Sequence, residues 1–305
     1  MSMVPTIMKQ GKLAPLLYLG PALLIMFIFI VYPTFNTLQL SFMNKNSTRS
    51  AAADCVSGQP CWGVFENYRY ALTNPLMLNA LRNNALWLLL MVPGTVAVGL
   101  LFAIMADRIQ YESLAKSIIF MPMAISFIGA GVIWRFVYYI QTGGGPQIGL
   151  LNAILVKLGI QPVAFLSNPT INNFSLMLVG VWLWAGFCMT ILSAAVKGLP
   201  DEVLEAARVD GANEWHLFWR VMFPMILPTV IVVTTTMVIN ILKIFDIVFV
   251  MTGGNFGTEV IANRMFQLIV TDTGKSMAIA VLLILLTIPV MIFNVRRFRT
   301  EEAMR

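Results

Sequence analysis

The chain has 305 residues, of which 58% are hydrophobic and 11% are charged, whereas soluble globular domains contain about 25% charged residues. This composition, with a mean hydropathy of +0.80, excludes a water-soluble globular protein, because the apolar side chains exceed what a soluble core buries. The net charge of +6 is interpreted as a membrane-topology signal and not as nucleic-acid binding.

Long apolar runs predict an all-α, polytopic membrane protein made of one domain. A transmembrane helix needs about 20 mostly apolar residues, and about six runs meet this length. The predicted spans are residues 13–40, 80–105, 117–139, 174–196, 224–251 and 277–295. The first run follows Lys9 and Lys12, but it is too long for a secretory signal and has no small-residue cleavage site near its end. A retained span is therefore favoured over a removed signal.

The basic residues predict the orientation in the membrane. Six crossings put both termini on one side, and more Lys and Arg residues near the span ends fall on that side than on the other. The positive-inside rule then places both termini in the cytoplasm, across a bacterial inner membrane. The predicted organisation is a cytoplasmic stub (1–12), a transmembrane domain (13–296) and a cytoplasmic tail (297–305).

The first outer loop, residues 44–79, is polar at its start and then amphipathic around Tyr68. This pattern predicts a helix that lies on the bilayer surface. The loop carries Cys55 and Cys61, and the compartment outside a bacterial inner membrane is oxidising. Either a disulfide or two free thiols is compatible with this sequence.

Two further loops are shorter or more structured. Residues 107–112 are interpreted as a simple charged turn on the cytoplasmic side. Residues 141–173 are interpreted as an outer cap with a short helix over 148–157, because the apolar stretch there is too short to cross a membrane.

Residues 197–223 form the most charged stretch between two predicted spans. Pro200 followed by acidic Asp201 marks a helix start, since carboxylates favour the positive end of the helix dipole. Gly211 permits the sharp turn that ends this helix. A second helix with an aromatic stripe is predicted from about Asn213, so the two helices form a helix-turn-helix that projects from the cytoplasmic face.

This stretch contains Glu205-Ala206-Ala207, Gly211 four residues later, and then Val221-x-Phe223-Pro224. The motif resembles the EAA loop of ABC importer permeases, where the family usually has Ile and Leu in place of Val221 and Phe223. The resemblance implies the type I ABC importer permease fold and a coupling helix, within the loop 197–223, that seats in a groove of a separate ATPase. The residues implied in coupling are Glu205, Ala206, Ala207, Asp210, Gly211 and Ala212.

The residue types in this loop suit a contact with another protein. Small side chains allow close approach, while Glu205 and Asp210 are able to pair with basic groups of a partner. The alternative is an ordinary amphipathic loop helix.

Other stretches resemble the carbohydrate-uptake branch of the same family. They are Gly180-Val181-Trp182, residues 197–200, Phe245-Asp246-Ile247 and Thr252-Gly253-Gly254, although Asn255 stands where the family has proline. The implied partners are a second permease subunit in a heterodimer, two copies of a cytoplasmic ATPase that binds ATP and Mg, a periplasmic or extracellular solute-binding protein, and membrane lipid. The implied cargo is a disaccharide such as an alpha-glucoside, maltose, sucrose or trehalose, with amino acids or polyamines as the alternative.

Polar residues in the fifth predicted span form a candidate solute path. Thr236, Asn240 and Lys243 recur at i, i+4 and i+7 and therefore share one helix face. Asp246 stands three residues further on, within reach to neutralise Lys243. A stripe of this kind hydrogen-bonds either sugar hydroxyls or the sister subunit.

Aromatic residues in the fourth predicted span extend this path. Trp182, Trp184 and Phe187 offer flat apolar faces that stack on sugar rings, with lipid or core packing as the alternative. The resemblance implies sugar contacts by Gly180, Leu183, Trp184 and Phe187.

The sequence lacks the motifs of an enzyme. Gly274-Lys275-Ser276 is not a P-loop, because the required earlier glycine would fall on Ile269 and no buried strand precedes it. The single histidine, His216, has no partners at metal-ligand spacing, so neither a metal site nor a cofactor is expected in this chain. A secondary transporter is a further alternative, but it would require more carboxylates at membrane depth than Asp246.

Overall fold

The computed structural model describes residues 14–44, 61–62, 65–107, 109–143 and 145–303. Helices dominate these residues, and the strand pairing within them is two residues long, Met43–Asn44 against Cys61–Trp62. The predicted all-α class is confirmed. The predicted pairing of Cys55 with Cys61 lies outside the described residues, because Cys55 is not among them, and the disulfide stays a prediction.

Within the described residues, five helices are long and apolar enough to cross a membrane. They are named span 1 (Tyr18–Ser41), span 2 (Pro75–Ala106), span 4 (Asn172–Lys197), span 5 (Glu214–Leu242) and span 6 (Thr273–Arg296). Span 3a (Glu112–Ala124) and span 3b (Phe127–Val137) meet at 99°, and this bent pair, counted as one broken span, brings the number to six. These positions overlap all six predicted runs. The helix of span 1 begins at Ala14 and includes the π-helical segment Phe27–Val31, and the helix of span 6 continues to Ala303.

The prediction of one continuous helix for the third crossing is wrong. Span 3a ends in a 3-10 turn, Met121–Ala124, that contains Pro122, and proline has no N–H to donate to the helix. Ser126 then caps span 3b, since its Oγ accepts a hydrogen bond from the Gly129 N–H at 3.1 Å. The helix break therefore has a local cause in the sequence.

The prediction of one helix over residues 224–251 is also wrong. Span 5 ends at Leu242, Lys243 is its C-terminal cap, and a separate helix covers Asp246–Met251. Asp246 in the first turn favours a new helix N-terminus. Thr236 and Asn240 share a face of span 5, whereas Lys243 and Asp246 lie beyond its end.

Shorter helices cover the two ends of the bundle. The predicted surface helix is present as Glu66–Thr73 and the predicted cap helix as Leu150–Lys157. With the helix Ile261–Leu268, they lie at the end where span 2 begins, which is named the cap side. The opposite end, where span 4 finishes at Lys197, carries the helix Asp201–Val209 and is named the elbow side.

Spans 2 and 4 form the core of the subunit through close contacts at glycines. A Cβ at Gly99 would collide with Cys188, and one at Gly180 would collide with Met91, so small residues allow the two helices to approach closely. The largest buried side chains around this contact include Trp87, Met91, Leu183, Met189, Leu192, Met237 and Ile241. Span 1, by contrast, buries none of its apolar window, as expected of a helix whose neighbours are lipid or another subunit.

Candidate functional sites

The segment that resembles a coupling loop forms a short helix and a tight turn, named here the elbow (residues 198–216). Its helix, Asp201–Val209, has acidic residues in the first turn and Arg208 in the last, which is the favourable charge order for the helix dipole. Gly211 has a φ of +85°. The N–H groups of Gly211 and Ala212 donate to the carbonyls of Arg208 (3.1 Å) and Ala207 (3.0 Å). This arrangement is a Schellman motif, so the predicted helix end at Gly211 is confirmed.

The second half of the elbow continues directly into span 5. Asn213 accepts a hydrogen bond from the His216 N–H at 2.9 Å, and Arg208 Nε donates to Glu214 Oε1 at 3.4 Å across the turn. The predicted start of a second helix near Asn213 is confirmed, and this helix, which begins at Glu214, runs through the π-helical segment Leu217–Met222 into the span. A displacement of the elbow therefore acts on span 5 through continuous backbone.

The residues implied in coupling differ in exposure. The exposed residues are Glu205, Ala206, Asp210 and Gly211, and the half-buried residues are Ala207 and Ala212. Beside them, Val209 is 86% exposed and Trp215 is 68% exposed. Apolar side chains that stand in solvent among carboxylates are typical of a protein-binding surface.

His216 takes part in the elbow structure. Its Nδ1 lies 2.8 Å from Asn213 Oδ1, so the ring contacts the residue that caps its own helix. Among the residues that the structure describes, no three His, Cys, Asp or Glu side chains are grouped closely enough to hold a metal ion.

The sequence interpretation missed a group of charges on the elbow side, named here the ionic cluster (Asp107, Glu112, Lys116, Ser193 and Lys197). Lys116 Nζ lies 2.5 Å from Asp107 Oδ1 and 2.6 Å from Glu112 Oε1, and it also contacts the Ser193 hydroxyl. Lys197 Nζ lies 2.5 Å from the same Glu112 oxygen. The predicted charged turn is present between the helices that end at Ala106 and begin at Glu112, but its pairing with Lys116 was not predicted. The available sequence signal was the Glu112–Lys116 spacing of i, i+4 at a helix start.

A second unpredicted group lies on the cap side and is named the amide cluster (Asn83, Asn84, Asn172, Asn173, Glu259 and Asn263). Asn83 Nδ2 donates to the carbonyls of Gly257 (2.7 Å) and Glu259 (2.8 Å). Asn84 accepts from the Ile261 N–H at 2.9 Å and donates to the Leu242 carbonyl at 3.3 Å. Asn83 therefore holds the loop 252–260 against span 2, and Asn84 joins span 2 to the end of span 5 and to the start of the helix Ile261–Leu268.

The loop 252–260 is also closed from within. Asn255, which stands where the related family has proline, bonds the Thr252 carbonyl through its N–H (3.1 Å) and through its side-chain amide (2.9 Å). Glu259 is buried, and its Oε1 accepts from Asn263 Nδ2 at 2.5 Å and from the Val260 N–H at 3.2 Å. Burial raises the pKa of the Glu259 carboxyl above its ordinary value.

Four residues of the predicted solute path meet at one pocket of about 150 Å³. Trp184, Asn240, Lys243 and Asp246 line it together with Phe127 from the start of span 3b. The Phe127 and Trp184 rings stack with their centroids 5.5 Å apart, so the helix break in the third crossing supplies one wall. Neither Lys243 nor Asp246 forms an ion pair with another described residue, and the predicted neutralisation of Lys243 by Asp246 is not observed there.

The other predicted path residues lie around or behind this pocket. Phe187 packs edge-on against Trp184 at 5.7 Å. Thr236 Oγ1 donates back to the Val232 carbonyl at 2.9 Å. Gly180 and Leu183 are buried in the core and do not line this pocket. A Cβ at Gly180 would collide with the Met91 side chain of span 2, and the contact of these two residues with sugar stays a prediction.

Comparison with known proteins gives a family and several relatives. The family model described as "Binding-protein-dependent transport system inner membrane component" matches residues 95–296. The osmoprotective compounds uptake permease protein GgtC of Synechocystis sp. is 50% identical over 291 residues, which cover 95% of this chain and 100% of GgtC. The alpha-glucoside transport system permease protein AglF of Rhizobium meliloti is 42% identical and covers 96% of this chain and 84% of AglF.

A solved structure shares the fold. One chain of a bacterial ABC transporter involved in the import of alginate superposes with a TM-score of 0.74 at 22% identity, over 93% of this chain and 95% of that one.

Proposed function

This chain belongs to the inner membrane components of binding-protein-dependent transport systems, and from that premise we propose that it is the permease subunit of an ATP-driven sugar importer. It is a multi-pass inner membrane protein, with the elbow side in the cytoplasm and both termini on that side. The observation that carries the proposal is the elbow, an exposed helix closed by a Schellman motif and continuous with span 5. Residues 13–296 are the permease domain in this proposal, flanked by cytoplasmic segments 1–12 and 297–305.

The elbow is proposed to seat on a cytoplasmic ATPase, two copies of which bind ATP and Mg and hydrolyse the nucleotide. Exposed Ala206 lets a partner surface approach the helix, while Glu205 and Asp210 offer carboxylates to its basic groups. Force on the elbow then reaches span 5 through backbone. A second permease subunit completes the path, and an external solute-binding protein delivers the cargo to the cap side.

The pocket at Trp184 supports a polyhydroxylated cargo. The Trp184 ring offers a flat apolar face, and the Asn240 side chain offers hydrogen-bonding groups that suit sugar hydroxyls. AglF is named for alpha-glucosides and GgtC for osmoprotective compounds. We therefore propose a small alpha-glucoside such as sucrose or trehalose as the cargo.

Substitution of Gly211 tests the coupling role. In Gly211→Val a β-branched residue must adopt a φ of +85°, which distorts the turn, and we expect uptake to fall at least about tenfold while ATP hydrolysis no longer responds to the binding protein. The matched control is Gly159→Val, since Gly159 has a similar φ of +76° and open space around it but lies on the cap side. Equal losses in both variants, or uptake that persists without any ATPase, would contradict the proposal.

Competition in membrane vesicles tests the cargo. Radiolabelled trehalose uptake that depends on this chain is expected to be inhibited by sucrose and not by amino acids or polyamines. Uptake of an amino acid or a polyamine instead of the disaccharide would reject the sugar assignment and leave the permease assignment intact.

A further inference from the structure

Lys116 lies at the centre of the ionic cluster, and each of its contacts belongs to a different part of the fold. Asp107 follows the last residue of span 2, Glu112 begins span 3a, and Ser193 lies in the final turns of span 4. The Lys116 side chain is 21% exposed and that of Asp107 is 15% exposed. A charge contact that is shielded to this degree is weakened by water and salt much less than a contact on the open surface.

Local helix preferences do not explain Asp107. A carboxylate at a helix C-terminus meets the negative end of the dipole, and Asp107 is the C-terminal cap of span 2. Its Oδ1 contacts Lys116 and Ser193, whereas its Oδ2 is buried without a hydrogen-bond partner among the described residues. The tertiary contact with Lys116 is therefore what compensates the charge of Asp107 at this position.

The cluster also reaches the elbow. Glu112 holds a second cation, Lys197, which is the last residue of span 4 and stands one residue before the elbow. The backbone of span 3a packs directly on span 4, because a Cβ at Gly186 would lie 2.5 Å from the Ile119 carbonyl oxygen. Apolar contacts thus join spans 2, 3a and 4 within the membrane, and the ionic cluster joins their ends beside the elbow.

We propose that Lys116 is a positioning residue for coupling, which holds the ends of spans 2, 3a and 4 together so that a displacement of the elbow moves all three as one body. This inference rests on the proposed function of the elbow. Spans 4 and 5 receive the displacement through backbone, because the elbow joins the end of span 4 to the start of span 5, and spans 2 and 3a receive it through Lys116, Glu112 and Lys197. Without Lys116 the elbow moves spans 4 and 5 while spans 2 and 3a respond incompletely.

The test uses the complete transporter reconstituted in lipid nanodiscs, with ATP hydrolysis measured with and without the loaded binding protein. Lys116→Met is expected to reduce the stimulation by the binding protein about two- to thirtyfold, the range in which coupling-network residues act, while unstimulated hydrolysis is unchanged. Lys116→Arg, which keeps the charge and donors, is expected to restore most of the stimulation.

A double variant separates positioning from simple charge compensation. In the double variant, Asp107→Asn with Lys116→Met, no unpaired carboxylate remains at the end of span 2. Its thermal stability is therefore expected to exceed that of Lys116→Met alone, while the stimulation of ATP hydrolysis by the binding protein stays as low as in Lys116→Met. Recovery of the stimulation together with stability would overturn the inference, because Lys116 would then only neutralise Asp107.

A distance measurement gives a second readout. Spin labels are placed at exposed Gln110 and Glu202 in a variant without native cysteines. The distribution of the distance between the two labels is expected to stay narrow through the ATP cycle in the parent and to broaden in Lys116→Met. An unchanged narrow distance in Lys116→Met would also overturn the inference. If Gly211→Val leaves coupling intact, the role of the elbow itself fails; if it abolishes coupling and Lys116→Met does not, only this inference fails.

Discussion

Spans 2 and 4 are tied to their neighbours at both ends, but by different chemistry. On the cap side spans 2 and 4 are held through amide side chains, and Asn83, Asn84, Asn172 and Asn173 are all buried. On the elbow side the ionic cluster uses charges on partly exposed side chains, and Lys197 is 51% exposed. The same pair of helices is therefore held by amide hydrogen bonds at one end and by ion pairs at the other.

The two kinds of contact differ in how much a displacement costs. Buried amide bonds leave unsatisfied carbonyls when they break, so each rearrangement is costly. On the elbow side the shielded contact between Lys116 and Asp107 resists separation, whereas half-exposed Lys197 separates from Glu112 at lower cost, because water and salt solvate its charge. The elbow side, where a partner is proposed to push, thus tolerates small displacements at its outer ion pair.

The largest expected effect is on the cap side, in Asn83→Ala. This change leaves the buried carbonyls of Gly257 and Glu259 without their donor, at about 1–3 kcal/mol for each unsatisfied group. We expect a clear fall in the thermal unfolding midpoint of the purified transporter. The control is Asn79→Ala, since half-buried Asn79 only accepts from Asn83. Equal midpoints for both variants would contradict the picture of a rigid cap side.

A smaller effect is expected at the contact between span 3a and span 4. In Gly186→Ala the new methyl group would lie 2.5 Å from the Ile119 carbonyl oxygen and 2.7 Å from the Phe120 Cα, and such overpacking costs about 1–3 kcal/mol. The thermal unfolding midpoint is expected to fall. Because span 3a also carries Glu112 and Lys116, its displacement from span 4 is expected to strain the contacts of the ionic cluster. Gly94→Ala is the matched control, because Gly94 lies in a helix with no atom within 4 Å of an added Cβ. A fall of the same size in the control would reject close packing as the cause.

Much of the architecture is readable from the sequence because it depends on local patterns. Apolar run length gives the position of all six crossings, and the acidic start with Gly211 gives both ends of the elbow helix. The break at Pro122 is less visible, since proline occurs inside spans 2, 5 and 6 without ending them. What decides the break is the capping of a new helix by Ser126, which hydropathy does not report.

The two polar clusters depend on contacts between residues far apart in the chain. Asn83 reaches Glu259 across 176 positions and Lys116 reaches Ser193 across 77, and no local spacing encodes either contact. The pocket residues Trp184, Asn240 and Lys243 were predicted from helical spacing and from aromatic side chains within spans. The burial of Gly180 and Leu183 was not predicted, because the face of span 4 that they occupy is decided by its packing on span 2.

Removal of the outermost ion pair is expected to have a small effect that depends on salt. Lys197→Met loses one contact to Glu112 from a side chain that is half exposed, and exposed pairs contribute about 0–1 kcal/mol. The midpoint is expected to fall slightly at low ionic strength and to match the parent in high salt, where the pair is screened. A loss as large as that of Asn83→Ala would show that the elbow side is as rigid as the cap side.

The smallest expected effect has the opposite sign and concerns Glu259. Burial raises the pKa of this carboxyl above 4.5 in the folded protein, against the opposing charge of Arg264, so the folded state binds the proton more tightly than the unfolded chain. The contribution of Glu259 to stability is therefore greatest below about pH 4.5 and declines as the pH rises through the folded pKa. Glu259→Gln keeps the oxygen that accepts from Asn263 and cannot ionise. We expect the variant to be more stable than the parent at neutral pH, by less than about 1 kcal/mol of unfolding free energy. Its unfolding midpoint should also decline less steeply as the pH rises. A steeper decline in the variant would mean that the ionised carboxylate stabilises the amide cluster, and that the cap side, like the elbow side, depends on charge.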